Sequence, residues 1–130
     1  MTAAHVNSAL DALHEVMKVG YTNGDAVMIA DQFYSQDAWV VGPESAVWKG
    51  RGEVLALYET VVGVYEWETE RKHLVQLSDG SISEFLIGRI VPVKGGETLS
   101  YKIQLVWQKV NDQWRCVSQF FASGTTFDPA

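Results

Sequence analysis

Three polar residues, Arg71, His73 and Glu84, fall among apolar residues in two neighbouring segments of period-two pattern. If these segments pair as adjacent strands, His73 and Glu84 become diagonal neighbours on one face of a sheet. A buried histidine beside a carboxylate can act as a general acid and base, because the carboxylate favours the charged imidazolium. Arg71, on the same face, is a candidate anchor for a ligand carboxylate. Alternatively, all three side chains reach solvent at the open rim of the sheet, or a one-residue slip moves them to its other face.

A second set of residues is suited to line a cavity beside these groups. It combines long apolar side chains with large aromatic ones: Met17, Leu105, Tyr34, Tyr58 and Trp67. Most aromatic residues of this kind belong to a core, but a buried tyrosine hydroxyl needs a hydrogen-bond partner, and a ligand can supply one. The expected ligand is a small molecule that is apolar or carries a carboxylate.

Composition excludes several classes of function. The 130 residues are 47% apolar and 20% charged, as in a globular protein with a single domain, 1–130. The net charge of −6 argues against a nucleic-acid partner, since phosphate binding needs a basic surface. We find no signal peptide and no membrane-spanning segment, which predicts a cytoplasmic protein without a membrane partner. No metal-ligand spacing and no glycine-rich phosphate loop occurs, so no metal or cofactor is predicted.

The first half of the chain predicts three helices, because apolar residues recur there at three- and four-residue steps. The helices cover residues 4–21, 26–34 and 51–62, and a short strand covers residues 37–41. Asn23-Gly24 is suited to end the first helix, and Asp25 to cap the second. His5 and His14 fall between the apolar positions of the first helix, so both are expected to face solvent.

Beyond Gly63 the period of the apolar residues changes to two, which predicts four strands in an antiparallel meander. The strands cover residues 64–77, 81–93, 99–109 and 114–121. Asp79-Gly80, Gly95-Gly96 and Asn111-Asp112 are each suited to a two-residue hairpin turn. Three helices followed by such a meander make an α+β domain.

Two-residue turns would fix the register of the meander, and the register assigns each residue to a face. On the more apolar face, which we expect the helices to cover, Trp107 then lies opposite Cys116, and Ile103 opposite Phe120. The opposite face carries one apolar row that crosses all four strands, formed by Leu74, Phe85, Val106 and Val117. An apolar row of this kind predicts the interface of a homodimer.

The order helix, helix, short strand, helix, long meander resembles the NTF2-like fold, a cone-shaped α+β barrel. The resemblance is carried by Asn23-Gly24-Asp25, Asp37-Ala38 with Gly42-Pro43, Gly50-Arg51, and the ending Val106-Trp107-Gln108-Lys109, Trp114-Arg115 and Ser123-Gly124. The chain is similar to the DUF4440, SnoaL-like and ketosteroid isomerase-like branches, and its C-terminal half to the association domain of calcium/calmodulin-dependent kinases. The resemblance implies three N-terminal helices on a bent antiparallel sheet, a pocket between them, and usually a dimer.

The resemblance does not bring a known chemistry with it. Ketosteroid isomerases of this fold use a tyrosine on the first helix, an aspartate base at the end of the first strand and a protonated aspartate inside the sheet. Matching the motifs places Met17, Gly42 and either Leu105 or Gln104 at those positions, and none of these can move a proton. Tyr58 does match a tyrosine that is common in the pocket of that family.

Two functions are compatible with these observations. In the first, the domain binds a small molecule in a mostly apolar pocket without converting it. In the second, it is an isomerase, cyclase or lyase of the SnoaL-like kind that uses His73 with Glu84. Gly42 in place of a catalytic acid favours the first function. A closed pocket with His73 and Glu84 within hydrogen-bond distance would favour the second.

Overall fold

The computed structural model describes residues 3–129 as an α+β domain with three helices and six strands. In chain order these are α1 (Ala3–Asn23), α2 (Ala26–Gln32), β1 (Tyr34–Val41), β2 (Val47–Lys49), α3 (Gly50–Glu59), β3 (Tyr65–Ser78), β4 (Ser81–Pro92), β5 (Leu99–Val110) and β6 (Gln113–Ser123). The predicted fold class is confirmed. Within the described residues, no helix is long and apolar enough to cross a membrane. A cytoplasmic location stays a prediction.

The six strands form one open sheet in the order β2-β1-β6-β5-β4-β3. The predicted antiparallel meander is confirmed for β3 to β6. The sheet as a whole is mixed, because β1 runs parallel to β6 while β2 runs antiparallel to β1. We call the face that carries Leu86, Ile103 and Trp107 the inner face, since the core lies between it and the helices.

Each helix contributes a buried apolar stripe to that core. Leu10 of α1, Ile29 of α2 and Val54 of α3 are all fully buried. Gly24 ends α1 with a positive φ of 68°, a conformation that glycine adopts without strain. Asp25 then caps α2 by accepting a hydrogen bond from the backbone N–H of Met28 at 3.0 Å. The two helices are therefore separated by a sharp break, as predicted.

The register between β3 and β4 differs from the prediction. Ser78 pairs with Ser81, so the two-residue turn at Asp79-Gly80 is confirmed, but the register shifts between Gln76 and Ser78 and again between Arg71 and His73. Each shift inserts one residue, and one extra residue reverses the face of everything beyond it. The prediction that His73 faces the helices is therefore wrong.

After the first shift, Leu74 packs against the core instead of His73. His73 pairs with Phe85 and lies exposed on the outer face. The second shift restores the original faces, so Arg71 lies on the inner face as predicted, although it pairs with Leu86 and not with Gly88. Trp67 is likewise buried on that face.

The predicted two-residue turn at Gly95-Gly96 is wrong, because residues 93–98 connect β4 to β5. The longer loop slides the pairing by two residues, so that Glu84 lies opposite Leu105 and not opposite Trp107. A shift of two residues leaves every side chain on its original face. Glu84, Leu105 and Trp107 thus all lie on the inner face and are all buried.

The predicted register of the hairpin between β5 and β6 is confirmed from the turn to Trp107 and is wrong beyond that residue. Trp107 pairs with Cys116 as predicted, but the register then shifts, so that Val106 pairs with Ser118. Ile103 consequently lies opposite Phe121, where Phe120 was predicted. Phe120 instead lies on the outer face and is 53% exposed.

The predicted apolar row on the outer face is not formed as a row of four. Leu74 lies on the inner side, and the ring of Phe127 packs edge-on against Phe85 at a centroid distance of 5.6 Å. Residues 125–128 therefore cover part of the outer face beside Lys72 and His73. The homodimer itself stays a prediction.

Gly88 of β4 generates a stability prediction, because the inner face leaves no room for a side chain there. A Cβ atom at this position would lie 2.5 Å from Cη2 of Trp67 and 2.6 Å from Cδ1 of Ile103. We expect Gly88→Ala to lower the free energy of unfolding by about 1–3 kcal/mol through overpacking. Urea unfolding followed by tryptophan fluorescence measures the change.

Gly52 of α3 provides the matched control, since nothing lies within 4 Å of a Cβ atom placed there. Gly52→Ala should leave the stability unchanged or raise it by up to about 1 kcal/mol, because alanine is the better helix former. Equal stabilities of the two variants would contradict the packing around Gly88.

Candidate functional site

A cavity of about 270 Å³ lies between the inner face of the sheet and the helices; we call it the apolar cavity. Twelve residues line the cavity. Six are aromatic, five are aliphatic and one carries an amide: Tyr21, Trp48, Tyr58, Trp67, Tyr101 and Phe121; Pro43, Leu57, Val61, Ile90 and Ile103; and Gln119. Ligand pockets usually enclose about 300–1,000 Å³ and have mostly apolar walls with few polar groups. The apolar cavity fits this description in its lining, and its volume lies slightly below the usual range.

A small void lies beside the apolar cavity, next to the core residues Phe33 and Leu86. It encloses only about 10 Å³ and shares four lining residues with the cavity: Tyr58, Trp67, Ile103 and Gln119. Met17 and Leu105, both predicted to contact a ligand, line this void and not the main cavity. The structure therefore brings four of the predicted ligand-binding residues together, with Tyr58 and Trp67 in the outer part and Met17 and Leu105 in the inner part.

The polar end of the apolar cavity is a chain of three side chains from α3, β1 and β6. The hydroxyl of Tyr58 is hydrogen-bonded to that of Tyr34, and the hydroxyl of Tyr34 donates to Oε1 of Gln119 at 2.5 Å. Tyr34, also a predicted ligand-binding residue, lies behind Tyr58 and does not line the cavity. Burial raises the pKa of both tyrosines well above their ordinary value of 10.0. Both hydroxyls are therefore neutral hydrogen-bonding groups at physiological pH.

Glu84 is the centre of a separate, ionic cluster on the inner face. Its side chain is fully buried, and its Oε1 accepts hydrogen bonds from Nε2 of His14 at 2.8 Å and Nε1 of Trp107 at 2.9 Å. Its Oε2 accepts from Nε of Arg71 at 2.7 Å, and Arg71 also binds Asp11 at 2.8 Å. Because a carboxylate only accepts, the Nε2 atom of His14 carries the hydrogen.

These contacts decide the charge of Glu84. Burial by itself raises the pKa of a carboxyl group, but the hydrogen bond and charge of His14 and the hydrogen bonds of Arg71 and Trp107 outweigh it and hold the pKa of Glu84 below its ordinary value of 4.5. Burial likewise lowers the pKa of Arg71, and its contacts with Glu84 and Asp11 raise it above its ordinary value. Glu84 and Arg71 therefore form an ion pair at neutral pH.

The predicted pairing of His73 with Glu84 is not formed. His73 lies on the outer face in a shallow cavity beside Lys72 and residues 125–128, whereas Glu84 is enclosed on the inner face. The partner of Glu84 is His14, and the prediction that His14 faces solvent is wrong, since this residue is 9% exposed. The spacing of Leu10, His14 and Met17 by four and three residues matches the buried stripe of α1 and would have revealed its position.

The side chain of Arg71 is also engaged by other protein side chains and is not available to a ligand. The structure confirms that it lies on the inner face, but its guanidinium binds Glu84 and Asp11 and does not line the apolar cavity.

Two residues of the cavity lining, Gln119 and Phe121, are not predicted from the sequence, because the predicted register assigns both to the outer face. A bulge in β6 turns both inward, and no pattern in the sequence marks that bulge.

A second cavity, of about 280 Å³, lies between α1 and β3 beside Trp67. Its walls are mostly charged or polar: Asp11, His14, Glu15, Lys18, Trp67, Glu68 and Thr69. Within residues 3–129, no three His, Cys, Asp or Glu side chains are grouped closely enough to hold a metal ion. Since most of these charged side chains are exposed, we regard this cavity as a solvated groove and the apolar cavity as the candidate site.

Gly42 shows why an isomerase-type base is missing from this site. A Cβ atom at position 42 would lie 2.8 Å from Cζ of Phe121. The ring of Phe121 thus fills the space that an aspartate would need at the position to which the resemblance assigns the catalytic base.

Comparison with known proteins identifies the fold. No protein-family model and no curated protein matches this chain. Among solved structures, a domain of unknown function with a cystatin-like fold from Nostoc punctiforme matches with a TM-score of 0.80 and 22% identity, over 98% of this chain and 82% of that one. An NTF-2 like protein of unknown function from Shewanella oneidensis matches with a TM-score of 0.78 and 15% identity, over 90% and 98%.

A ketosteroid isomerase-like protein from Erwinia carotovora matches with a TM-score of 0.72 and 15% identity, over 92% of this chain and 96% of that chain. Identities this low establish the fold and leave the function open. The chain therefore has the NTF2-like fold, as the resemblance in its sequence predicted.

Glu84 generates a prediction about stability and pH. Replacing one partner of a buried ion pair leaves the other charge unpaired, so we expect Glu84→Gln to lower the free energy of unfolding by about 3–5 kcal/mol at neutral pH. The folded-state pKa of Glu84 lies below its ordinary value of 4.5, so its stabilisation is present above pH 4.5 and is lost as the pH falls through the folded-state pKa. Urea unfolding at several pH values measures both effects.

The difference between the unmodified protein and Glu84→Gln should therefore shrink as the pH falls below 4.5. Glu70→Gln is the control, because Glu70 pairs with Lys72 at 2.8 Å on the surface, where its side chain is 53% exposed. We expect no measurable change in that variant. A Glu84→Gln protein as stable as the control would contradict the role of the cluster.

Proposed function

We propose that the protein binds a small, mostly apolar molecule in the apolar cavity and does not convert it. The observation that carries this proposal is a cavity of ligand size with aromatic and aliphatic walls and a neutral polar end. Arg71 is engaged by Glu84 and Asp11, so the proposal does not include a carboxylate anchor.

Binding without turnover is supported by the chemistry of the walls. The lining residues, all within the described part of the chain, include no histidine, carboxylate, lysine or arginine. General acid–base catalysis needs a group that exchanges a proton near neutral pH, whereas burial keeps the hydroxyl of Tyr58 protonated. Similarity to a ketosteroid isomerase-like protein raises the alternative of an isomerase, but Phe121 fills the space beside Gly42.

Naphthalene tests the proposal, because it is apolar, rigid and of a size suited to the cavity. We expect saturable binding in a fluorescence titration of the unmodified protein. Val61→Trp should weaken binding at least about tenfold, since one surplus methylene in an apolar pocket already costs about 10–200-fold. Val61 lines the cavity, and its replacement by the larger indole removes volume from it.

Val64→Trp is the matched control, because Val64 lies three residues away, is 54% exposed and does not line the cavity. It should bind naphthalene like the unmodified protein. Absence of saturable binding, or equal binding by both tryptophan variants, would refute the apolar cavity as the ligand site.

We also propose that the protein forms a homodimer, through a different part of the outer face than the predicted row. Val41 pairs with Val47 on one side and with Phe120 on the other, and Trp39 pairs with Ser118. These apolar residues share the outer face, and Trp39, Val47 and Phe120 are each 45–53% exposed. A contiguous exposed patch of this kind is typical of an interface, and a two-fold axis allows the patch to contact its own copy.

Phe120→Glu tests the dimer, because it places like charges in the middle of this patch in both copies. Sedimentation velocity at micromolar concentration should show twice the chain mass of 14.5 kDa for the unmodified protein and the single mass for the variant. Val27→Glu, at a 52% exposed position on α2, should remain dimeric. A monomeric unmodified protein would refute the proposal.

A further inference from the structure

We infer that the ligand of the apolar cavity carries a neutral hydroxyl group, an alcohol or a phenol, which binds between Tyr58 and Gln119. This inference rests on the proposed function and adds the chemical class of the ligand. It follows from which group donates and which accepts in the two hydrogen bonds that link Tyr58, Tyr34 and Gln119.

The direction of the chain is set at its buried end. The hydroxyl of Tyr34, which is 3% exposed, donates its single hydrogen to Oε1 of Gln119 at 2.5 Å. The hydrogen bond between the two tyrosines must then use the hydrogen of Tyr58, because a hydroxyl has only one to donate. Tyr58 therefore presents to the cavity an oxygen that can only accept.

Gln119 presents the opposite chemistry. Its oxygen is occupied by Tyr34, and its amide nitrogen carries two hydrogens and cannot accept. Since at most one of these hydrogens can be directed to Tyr58, the other is available to the cavity that Gln119 lines. The polar end of the cavity thus combines one acceptor with one donor.

A ligand hydroxyl satisfies both groups, because it donates to Tyr58 and accepts from Gln119. An ether or ketone can accept from Gln119 but has no hydrogen to donate to the remaining lone pair of the Tyr58 oxygen. An anion is disfavoured, since no cationic side chain lines the cavity in the described part of the chain. The indole N–H of Trp67 does not alter this selection, because its nitrogen is enclosed by protein and exposes almost no surface to the cavity.

Sites that hydrogen-bond a ligand hydroxyl discriminate against analogues without it, because the polar groups of the site are then left unpaired. Tyr58 and Gln119 are therefore specificity-determining residues. Tyr34 is a positioning residue, since it acts on the ligand only by fixing the direction in which Tyr58 bonds.

The test compares three bicyclic probes at neutral pH: naphthalene, 1-naphthol and 1-methoxynaphthalene. They share one ring system and differ in having no polar group, a hydroxyl, or an ether that can only accept. The unmodified protein should bind 1-naphthol about five- to tenfold more tightly than 1-methoxynaphthalene, as expected for one additional hydrogen bond. Calorimetric titration measures the ratio of the two dissociation constants.

Two variants alter this ratio for different reasons. Tyr58→Phe removes the acceptor, so the ratio should fall to near one while naphthalene binding persists. Gln119→Leu removes the acceptor of Tyr34, which can then donate to Tyr58 and free the hydrogen of Tyr58 for the ligand. 1-Naphthol and 1-methoxynaphthalene can then both only accept from Tyr58, so the ratio of their dissociation constants should fall to near one although the Tyr58 hydroxyl is retained, an effect that a loss of packing would not produce. Tyr65→Phe removes a hydroxyl outside the cavity lining and should keep the original ratio.

The outcomes separate this inference from the proposed function. If naphthalene binds but 1-naphthol and 1-methoxynaphthalene bind equally, the hydroxyl inference is overturned and the apolar binding site stands. A ratio that is unchanged in Tyr58→Phe overturns it as well. If none of the three probes binds, the proposed function itself fails.

Discussion

The burial of one carboxylate, Glu84, is the constraint on which the arrangement of the inner face depends. Removing a charge from water costs several kcal/mol unless hydrogen bonds and an opposite charge replace the solvent. Here α1, β3 and β5 each contribute one donor, from His14, Arg71 and Trp107, at 2.7–2.9 Å. Because these donors belong to three separate elements, all three must be in place for Glu84 to be satisfied. The cluster thus specifies where α1 lies on the sheet.

The same cluster holds the buried charges of Glu84 and Arg71 outside the lining of the apolar cavity. Along β4, Glu84 precedes Ile90 of the cavity wall by six residues, about 20 Å of extended chain. Leu86, between them, is fully buried. His14, Arg71 and Glu84 are therefore held in contacts with one another, and the apolar cavity has only neutral polar groups in its lining. A sequence search for catalytic chemistry finds Glu84 and Arg71 first, although both are engaged in holding the fold together.

The elements could be predicted from the sequence, but the faces of the strands could be predicted only in part. Alternating apolar residues and the Asp79-Gly80 turn place β3 and β4 correctly, because both signals are local. The face of His73 depends on two register shifts in β3, and a shift depends on contacts with the neighbouring strand and the helices. Arg71 was assigned correctly because two shifts of one residue cancel. His14 was misplaced although its spacing from Leu10 already indicated burial.

The bulge in β6 shows how one inserted residue creates the chemistry of the candidate site. If Trp107 and Cys116 were followed by regular pairing, Ser118 and Phe120 would face inward, and the cavity would lack an amide. The shift after this pair turns Gln119 inward, where it accepts from Tyr34, and turns Phe121 toward Gly42. One irregularity thus adds the neutral polar end and removes the space for an acidic base. The departure of this strand from regular pairing therefore determines which side chains line the candidate site and leaves no room for an acidic side chain at position 42.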